Sequence, residues 1–575
     1  MAARDEQLPA DVAAELDALL ERIRSGRTTG AAELQALLAR APDSLEIMGH
    51  LHWALAHEGR HEEAIAVCER YRALAPDNIE MRWRIADRLV NLERLDEALA
   101  AYRAILDEHP DCLDAKMGVR YVLYRQRVQA RSDGDALAGA HPPAPAPPTA
   151  SPYVPRLPPL TDRQRRNREL NLREFALGRL RLRSMPHRLY LECTTRCNFW
   201  CQTCSKGYGP YFAEDLRPAI LDAVRRELLP VNTHLSITGF GEPTLAPDFD
   251  AILQMALENG SLTHFVTNAS LLNFERLERL TRCPVNIVLS CDGASRETFE
   301  AIRAGADFDL FLDKLAMIKK LRDIHLSHVF SGFSFNFVAI RRNIAELPDV
   351  VRLARRFDIT HVNVTDYALN DNAFDAQSLR FDAERANHFM RQAARVAREL
   401  GVTLVLPPEF SPEARHPGTG AGLAAKIRTA GRLWPERRRF PQRCSSPWTE
   451  PYIQTNGVVV PCCSSRQFLG DLRRRPFAAV WNGWRYRLLR WRIDSPLPPI
   501  QCRLCYLPWG INAGNAGNVM AREGLMVKAW YWGEVRARRA GHSLKDWWRR
   551  TVRRERPPAP NYHRGRPLKN KAGAT

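Results

Sequence analysis

At 575 residues the chain exceeds what one hydrophobic core supports, so three or four domains of about 100–200 residues each are expected. Hydrophobic residues make up 45% and charged residues 26%, the balance of a soluble globular protein, and no apolar run of about 18 residues offers a membrane span. The formal charge is +19, and Arg536 to Thr575 alone hold 13 Lys or Arg against Asp546 and Glu555, a net of +11.

Met1 to Ala10 carry Arg4, Asp5 and Glu6 and no apolar stretch, so no secretory signal is expected. Thirteen Cys, gathered mainly in two groups, read as metal ligands in a reducing compartment, and the expected location is cytoplasmic. Residues 1–130 repeat themselves: Gly59 and Glu93, Ala64 and Ala98, and Pro76 and Pro110 each stand 34 residues apart. Ala41-Pro42-Asp43 precedes Ala75-Pro76-Asp77 by the same interval, and His109-Pro110-Asp111 follows. Ala54, Leu55, Ala64, Ile65, Val67 and Cys68 fall at helical spacing, and each Pro-Asp step ends one helix and opens the next. The segment resembles tetratricopeptide (TPR) repeats, with two clear units, a degenerate one before them and a capping helix near Met117 to Arg127. Stacked repeats of this kind form a groove for peptides or proteins, so such a partner is expected; a stabilising appendage is the competing reading. Cys68 and Cys112 read as packing or surface thiols. Residues 131–160 include nine Pro between Pro142 and Pro159, an extended spacer. A basic helix from Thr161 to about Arg183 leads into the next domain, residues 161–408.

Leu189 to Glu192 reads as a strand that delivers the loop Cys197-Asn198-Phe199-Trp200-Cys201-Gln202-Thr203-Cys204. Three thiols at this spacing can converge on one metal centre. An ordinary four-iron four-sulfur cluster takes four Cys, so three leave one iron open; a structural zinc loop is the alternative. Further strands at His234–Thr238, His264–Thr267, Val285–Ser290, Phe333–Ile340 and His361–Thr365 alternate with helices at Ala219–Leu229, Phe249–Asn259, Phe308–Arg322 and Leu347–Phe357. That order argues for six parallel strands with helices outside, curled into a barrel or part of one, with ligands at the carboxyl ends of the strands. Gly239-Phe240-Gly241-Glu242-Pro243 follows the second strand, Thr267-Asn268-Ala269 the third and Ser290-Cys291-Asp292-Gly293 the fourth. Glycine lets backbone approach a ligand closely, whereas Asn and Asp serve turn chemistry equally well. Cys193, Cys283 and Cys291 read as packed thiols.

Cys444, Cys462, Cys463, Cys502 and Cys505 form the second group. Asn456-Gly457, between Pro451–Thr455 and Val458–Val460, is a hairpin signal that would carry Cys462 back toward Cys444. Four thiols suit a closed cluster or a structural zinc. The basic segment 511–575, with Trp547 and Trp548 inside it, reads as a solvated tail or as a contact for an anionic surface; no specific nucleic-acid motif accompanies it.

The Cys197–Cys204 loop with the Gly239–Pro243 turn resembles the radical S-adenosylmethionine (radical SAM) enzymes, and Cys444 to Cys505 resembles their SPASM/twitch auxiliary-cluster extension. The resemblance spans about Arg188 to Leu507. It implies an α/β fold: a partial (β/α)6 TIM-like barrel over 161–408 and a small α+β auxiliary domain over 409–510, after the all-α repeat domain. Cys197, Cys201 and Cys204 would then hold a [4Fe–4S] cluster with SAM on its open iron. Gly239, Gly241, Glu242 and Pro243 match the motif that hydrogen-bonds the methionine amino group, with Phe240 in place of one Gly, and Ser290 is expected at the ribose. Cys444, Cys462, Cys502 and Cys505 would hold one auxiliary [4Fe–4S] cluster. Cys462 is favoured over Cys463, which stands where sulfatase-maturing relatives carry an Asp base. Phe468 to Leu472 and a helix around Trp481 to Arg492 fit that pattern, with Trp481, Trp484 and Trp491 as core or interface aromatics. The implied activity is reductive SAM cleavage by way of an electron donor, followed by oxidative modification of a peptide, a protein or a small sugar-like alcohol. A zinc-stabilised TPR scaffold without catalysis is the reading from another class.

Overall fold

The computed structural model describes residues 8–24, 28–138, 157–204, 206, 213–325, 332–367, 373–410, 444–463, 465, 467–493, 499 and 502. They form two compact units: the first joins residues 1–156 to 272–285 and 309–332, and the second holds the remainder.

In the first unit the 34-residue period of the sequence becomes a period of the backbone. Helices α1 (Ala10–Arg24), α2 (Ala31–Arg40), α3 (Leu45–His57), α4 (His61–Leu74), α5 (Ile79–Asn91), α6 (Leu95–Glu108) and α7 (Leu113–Ala138) follow one another. Ala41, Ala75 and His109 close α2, α4 and α6 with φ of −132°, −134° and −131° and ψ of 74° in each case. Ser44 and Asn78 cap α3 and α5 by accepting the amides of Ile47 and Met81, both at 3.2 Å. Ala54, Ala64, Ala86 and Ala98 are fully buried, which is how the paired helices approach closely. Gly59 takes the left-handed conformation with φ 78°; in the next unit Glu93 does so with φ 58° and holds Arg125 at 2.8 Å.

Helices α11 (Phe274–Thr281) and α13 (Phe308–Ile324) come from the strand–helix region of the sequence, yet all of α11 and α13 from Asp309 onward belong to this unit. They cover the face formed by α5 and α7. Lys320 Nζ meets Asp87 Oδ1 at 2.7 Å with both side chains fully buried. Arg88 donates to the Asp323 carbonyl, Asn91 Nδ2 to that of Ile324 at 2.5 Å, and Tyr121 Oη donates to Glu278 Oε1 at 3.0 Å. Along α5 and α7, therefore, one face of the repeat unit packs against helices of its own chain.

The second unit is built on one sheet. Its strands are β1 (Arg188–Leu191), β3 (His234–Ile237), β4 (Leu262–Thr267), β5 (Val285–Ser290), β7 (Gly332–Ala339), β8 (His361–Asp366), β9 (Thr403–Val405), β10 (Tyr452–Ile453), β11 (Val458–Val460) and β12 (Gly470–Asp471). They lie in the order β12-β11-β10-β1-β3-β4-β5-β7-β8-β9, an open sheet with the six expected strands contiguous in its middle. Parallel registers join β1 to β3, β3 to β4, β7 to β8 and β8 to β9. Buried Leu189, Leu191, Leu235, Ile237, Phe265, Ile287, Phe335, Phe337 and Val362 form the core against the helices. The hairpin forms at Asn456-Gly457 as its sequence implies, with Tyr452 opposite Val460. What the sequence did not convey is that β10 also pairs in parallel with β1, Tyr190 opposite Tyr452, so the second cysteine region extends the same sheet.

Around this sheet run α8 (Asp162–Ala176), α9 (Pro218–Glu227), α10 (Phe249–Glu258), α12 (Arg296–Ile302), α14 (Leu347–Arg356), α15 (Ala383–Leu400), α16 (Ser446–Thr449), α17 (Phe477–Trp481) and α18 (Trp484–Arg492). A capping box of Thr161 and Gln164 opens α8, but the helix stops at Ala176, short of Arg183, because Gly178 turns the chain with φ 61°. The helix expected around 481–492 is two pieces, interrupted at Gly483, which is extended. Trp481 is fully buried and Trp484 is 60% exposed, so Trp484 is not the core or interface aromatic it was expected to be within this chain. Among the described residues no helix is long and apolar enough to cross a membrane.

Candidate functional site

The cysteine loop leaves the carboxyl end of β1 in a fixed path. Cys193 is buried, as expected of a packed thiol, and Cys197, Cys201 and Cys204 are half-buried and free. The Phe199 amide donates to Cys197 Sγ at 3.4 Å and the Cys204 amide to the Cys201 carbonyl at 3.1 Å. Trp200–Cys201 forms a short strand, β2, antiparallel to β6 (Arg303–Ala304), which sets Cys201 opposite Arg303. Burial pushes the Cys201 thiol up to about 11; the Arg303 guanidinium opposes this, while Asp292, Cys204 and Cys197 add to it. Burial also raises Cys204, with Cys197 adding and the Lys206 ammonium opposing. The three thiols thus stand within electrostatic reach of one another. Among the described residues no three His, Cys, Asp or Glu side chains are already closed to metal-binding distance. The donor set nonetheless suits a metal cluster, because a cationic centre offsets the burial that disfavours free thiolates.

The turn after β3 is fastened to the base of this loop. The Glu242 amide donates to the Arg196 carbonyl at 2.8 Å, immediately before Cys197. A Cβ on Gly241 would run into the carbonyl oxygens of Thr194 and Arg196, and one on Gly239 into the Glu192 side chain. These glycines therefore let two segments of the protein meet, a requirement separate from the approach to a ligand that the sequence suggested. Glu242 is buried and its carboxylate is fully engaged. Oε1 accepts from Thr244 Oγ1 at 2.6 Å and Thr267 Oγ1 at 2.7 Å, and Oε2 accepts from the Asn268 amide at 2.7 Å. Pro243, buried beside it, begins a short 3-10 turn. Asn268 Nδ2 donates to Asn198 Oδ1 at 2.9 Å, so the end of β4 also grips the cysteine loop. Next to it Ala269 is buried in the left-handed conformation with φ 65°, strain held in place by these contacts.

Ser290 is buried at the end of β5, followed by buried Cys291 and Asp292. Asp292 Oδ2 accepts from Arg303 Nη1 at 2.6 Å, and its Oδ1 accepts from the Val338 amide at 2.8 Å. Arg303 Nε is buried with no hydrogen-bond partner, a cation with one donor unused beside Cys201. Asn343 Nδ2 donates to the Asp292 carbonyl at 3.0 Å, and Glu346 accepts the amides of Ala294 and Ser295 at 2.7 and 3.0 Å. Sequence reasoning did not single out Arg303, Asn343 or Glu346. It also missed Glu192, whose Oε1 accepts from the Phe240 amide and from Tyr452 Oη, each at 3.0 Å. Glu192 thereby ties the Gly239–Pro243 turn to the hairpin of the second cysteine region. The available signal was a carboxylate at the end of an otherwise apolar strand.

In the second group Cys444 precedes α16 and Cys462 follows β11; both are half-buried, as is Cys502, whereas Cys463 is exposed. Cys505 lies outside the described residues, and so does the basic segment 511–575.

Residues 191–354 match the family model of the radical SAM superfamily, residues 444–506 that of an iron–sulfur cluster-binding (SPASM) domain, and residues 16–79 and 55–120 those of tetratricopeptide repeats. Mycofactocin maturase MftC of Mycobacterium tuberculosis is 29% identical over 176 residues, 30% of this chain and 43% of that protein. The chain thus spans less than half the length of that relative. AdoMet-dependent heme synthase of Methanosarcina barkeri is 23% identical over 53% of this chain and 85% of that protein. PqqA peptide cyclase of Granulibacter bethesdensis is 22% identical over 56% and 82%.

Proposed function

We propose that this radical SAM enzyme, with its SPASM domain and TPR repeats, reductively cleaves S-adenosylmethionine and uses the product to modify a peptide or protein oxidatively. The observation that carries the reading is the fastening of the cysteine loop to the Gly239–Pro243 turn at the carboxyl ends of the strands, through the Glu242 amide and the missing Cβ of Gly241. Cys197, Cys201 and Cys204 would hold the [4Fe–4S] cluster. When bound, that cluster would supply the electron for reductive cleavage of SAM, and the chemistry it would make available is hydrogen-atom abstraction from the substrate. Gly239, Gly241, Glu242 and Pro243 shape the place for the methionine end and Ser290 that for the ribose. Arg303 keeps a positive charge beside Cys201, oriented by Asp292. Cys444, Cys462, Cys502 and Cys505 would hold an auxiliary [4Fe–4S] cluster as an outlet for the second electron. An external electron donor in a reducing, cytoplasmic setting fits this chemistry.

The name PqqA peptide cyclase supports the peptide reading, and the name AdoMet-dependent heme synthase supports a second one, a non-peptide substrate. Anaerobic reconstitution with iron and sulfide tests the chemistry: wild-type protein forms 5′-deoxyadenosine from SAM under dithionite, and Cys201→Ala does not. Cleavage retained in that variant overturns the assignment. A peptide captured by the full chain and converted to a product lighter by two hydrogens selects the first substrate class. Turnover of non-peptide candidates alone selects the second.

A further inference from the structure

A shallow, open surface cavity of about 410 Å³, apart from the cysteine loop, lies beside the segment that follows β7 and is lined by the exposed Arg341, Arg342 and Arg385 with Gln377 and Asp382. Ile340, just before Arg341, is fully buried, and its amide donates to Asn343 Oδ1 at 2.8 Å, which fixes the chain on both sides of the arginine pair. The Arg341 amide donates to the Gln377 carbonyl at 2.8 Å, closing the opposite wall. Arg341 Nε meets Asp382 Oδ2 at 3.1 Å, which leaves its two terminal nitrogens for another acceptor. Arg385 sits in the first turn of α15, the end that carries partial positive charge, with its guanidinium 5.6 Å from the Phe389 ring centroid. Among the described residues neither Arg342 nor Arg385 has a carboxylate partner, so three guanidinium groups face one carboxylate. Gln377 Oε1 has no hydrogen-bond partner but is closed off from solvent, so the guanidinium groups are what the cavity offers a ligand.

The cavity is one packed layer from the cysteine loop. The Gln202 amide donates to the Ile302 carbonyl at 2.8 Å, and buried Ile302, Ile340 and Tyr367 form one cluster with Val338 and Phe374. Arg341 begins where that cluster ends. We propose that this cavity is the anchoring subsite for a substrate carboxylate, with Arg342 and Arg385 binding the carboxylate. A carboxylate is what an acidic residue or a free C-terminus of a peptide presents, and planar guanidinium groups match it bidentately. The inference deepens the peptide reading above and rests on it.

Ligand-observed saturation-transfer NMR on the full chain tests this with three blocked tripeptides: acetyl-Gly-Glu-Gly-amide, acetyl-Gly-Gly-Gly with a free C-terminus, and acetyl-Gly-Gln-Gly-amide. Saturation transfer is expected to one or both carboxylate probes and not to the glutamine probe; which carboxylate binds identifies its source. Arg342→Gln and Arg385→Gln should each weaken that binding about tenfold, while Arg342→Lys keeps part of it. Equal binding of the glutamine probe, no binding of any probe, or binding unchanged in both Gln variants overturns the proposal. So does displacement of the carboxylate probe by equimolar inorganic phosphate, which would mark a general anion site. SAM cleavage without substrate, measured on the same samples, separates the two claims: its absence in wild type defeats the radical SAM reading, whereas its persistence with no probe bound defeats the anchor alone.

Discussion

Gly241 and Gly239 differ in what surrounds them, and the difference is measurable. A Cβ at Gly241 meets two backbone carbonyl oxygens at the base of the cysteine loop, whereas at Gly239 it meets the buried Glu192 side chain, which is held by the Phe240 amide and Tyr452 Oη rather than by that loop. Gly241→Ala should therefore displace the cysteine loop and lower bound iron sharply, and Gly239→Ala should lower it less. Iron assay after anaerobic reconstitution checks the order. His52 makes a second case. Burial, reinforced by the Arg84 and Arg88 guanidinium groups, pulls its imidazole down to about 3 from an ordinary 6.5. Between those values the unfolded chain binds a proton that the folded chain does not, so stability falls as pH drops from 6.5 toward 3. His234 and His264, drawn down to about 3 and about 4 chiefly by burial, act in the same direction. Neither ring nitrogen of His52 has a hydrogen-bond partner. His52→Leu should thus raise stability by ~1 kcal/mol at neutral pH and flatten part of the acid limb in thermal melts taken from pH 7 to pH 4. No acquired stability, or an unchanged limb, counts against the burial argument.

Helix α13 shows how far a single element can be read. Its position and length follow from the apolar spacing of 308–322 and nearly match the structure, which ends it at Ile324. Local spacing carries no sign of what its charges Lys319, Lys320 and Asp323 meet. In the folded protein Lys320 is buried against Asp87, Lys319 holds Asp323 at 2.7 Å, and Lys320 Nζ lies 4.6 Å from the Trp83 ring centroid. Removing one member of a buried pair strands the other, so Lys320→Met should cost ~3–5 kcal/mol. The double variant Asp87→Asn with Lys320→Met should cost clearly less. Urea denaturation of the full chain distinguishes this from a surface pair, for which single and double changes would be small and alike.

Over the whole molecule, two cysteine groups more than 200 residues apart in sequence become parts of one sheet through the pairing of β10 with β1. Glu192 joins them chemically, yet each group draws its thiols from its own segment. The two centres should therefore load separately. Cys502→Ala is expected to lower iron by about one cluster per chain while leaving substrate-free SAM cleavage intact; unchanged iron would remove the auxiliary cluster.

The repeat period, the strand–helix alternation and the hairpin were legible in the sequence, because each is written in local spacing that backbone geometry must obey. The partners of buried polar groups were not. Lys320 with Asp87, Arg303 with Asp292, and Glu192 with Tyr452 are separated by 233, 11 and 260 residues, and nothing local distinguishes such a side chain from a solvated one. Only the tertiary structure decides them, since a charge is tolerated inside a protein only where folding has brought its counterpart to hydrogen-bonding distance.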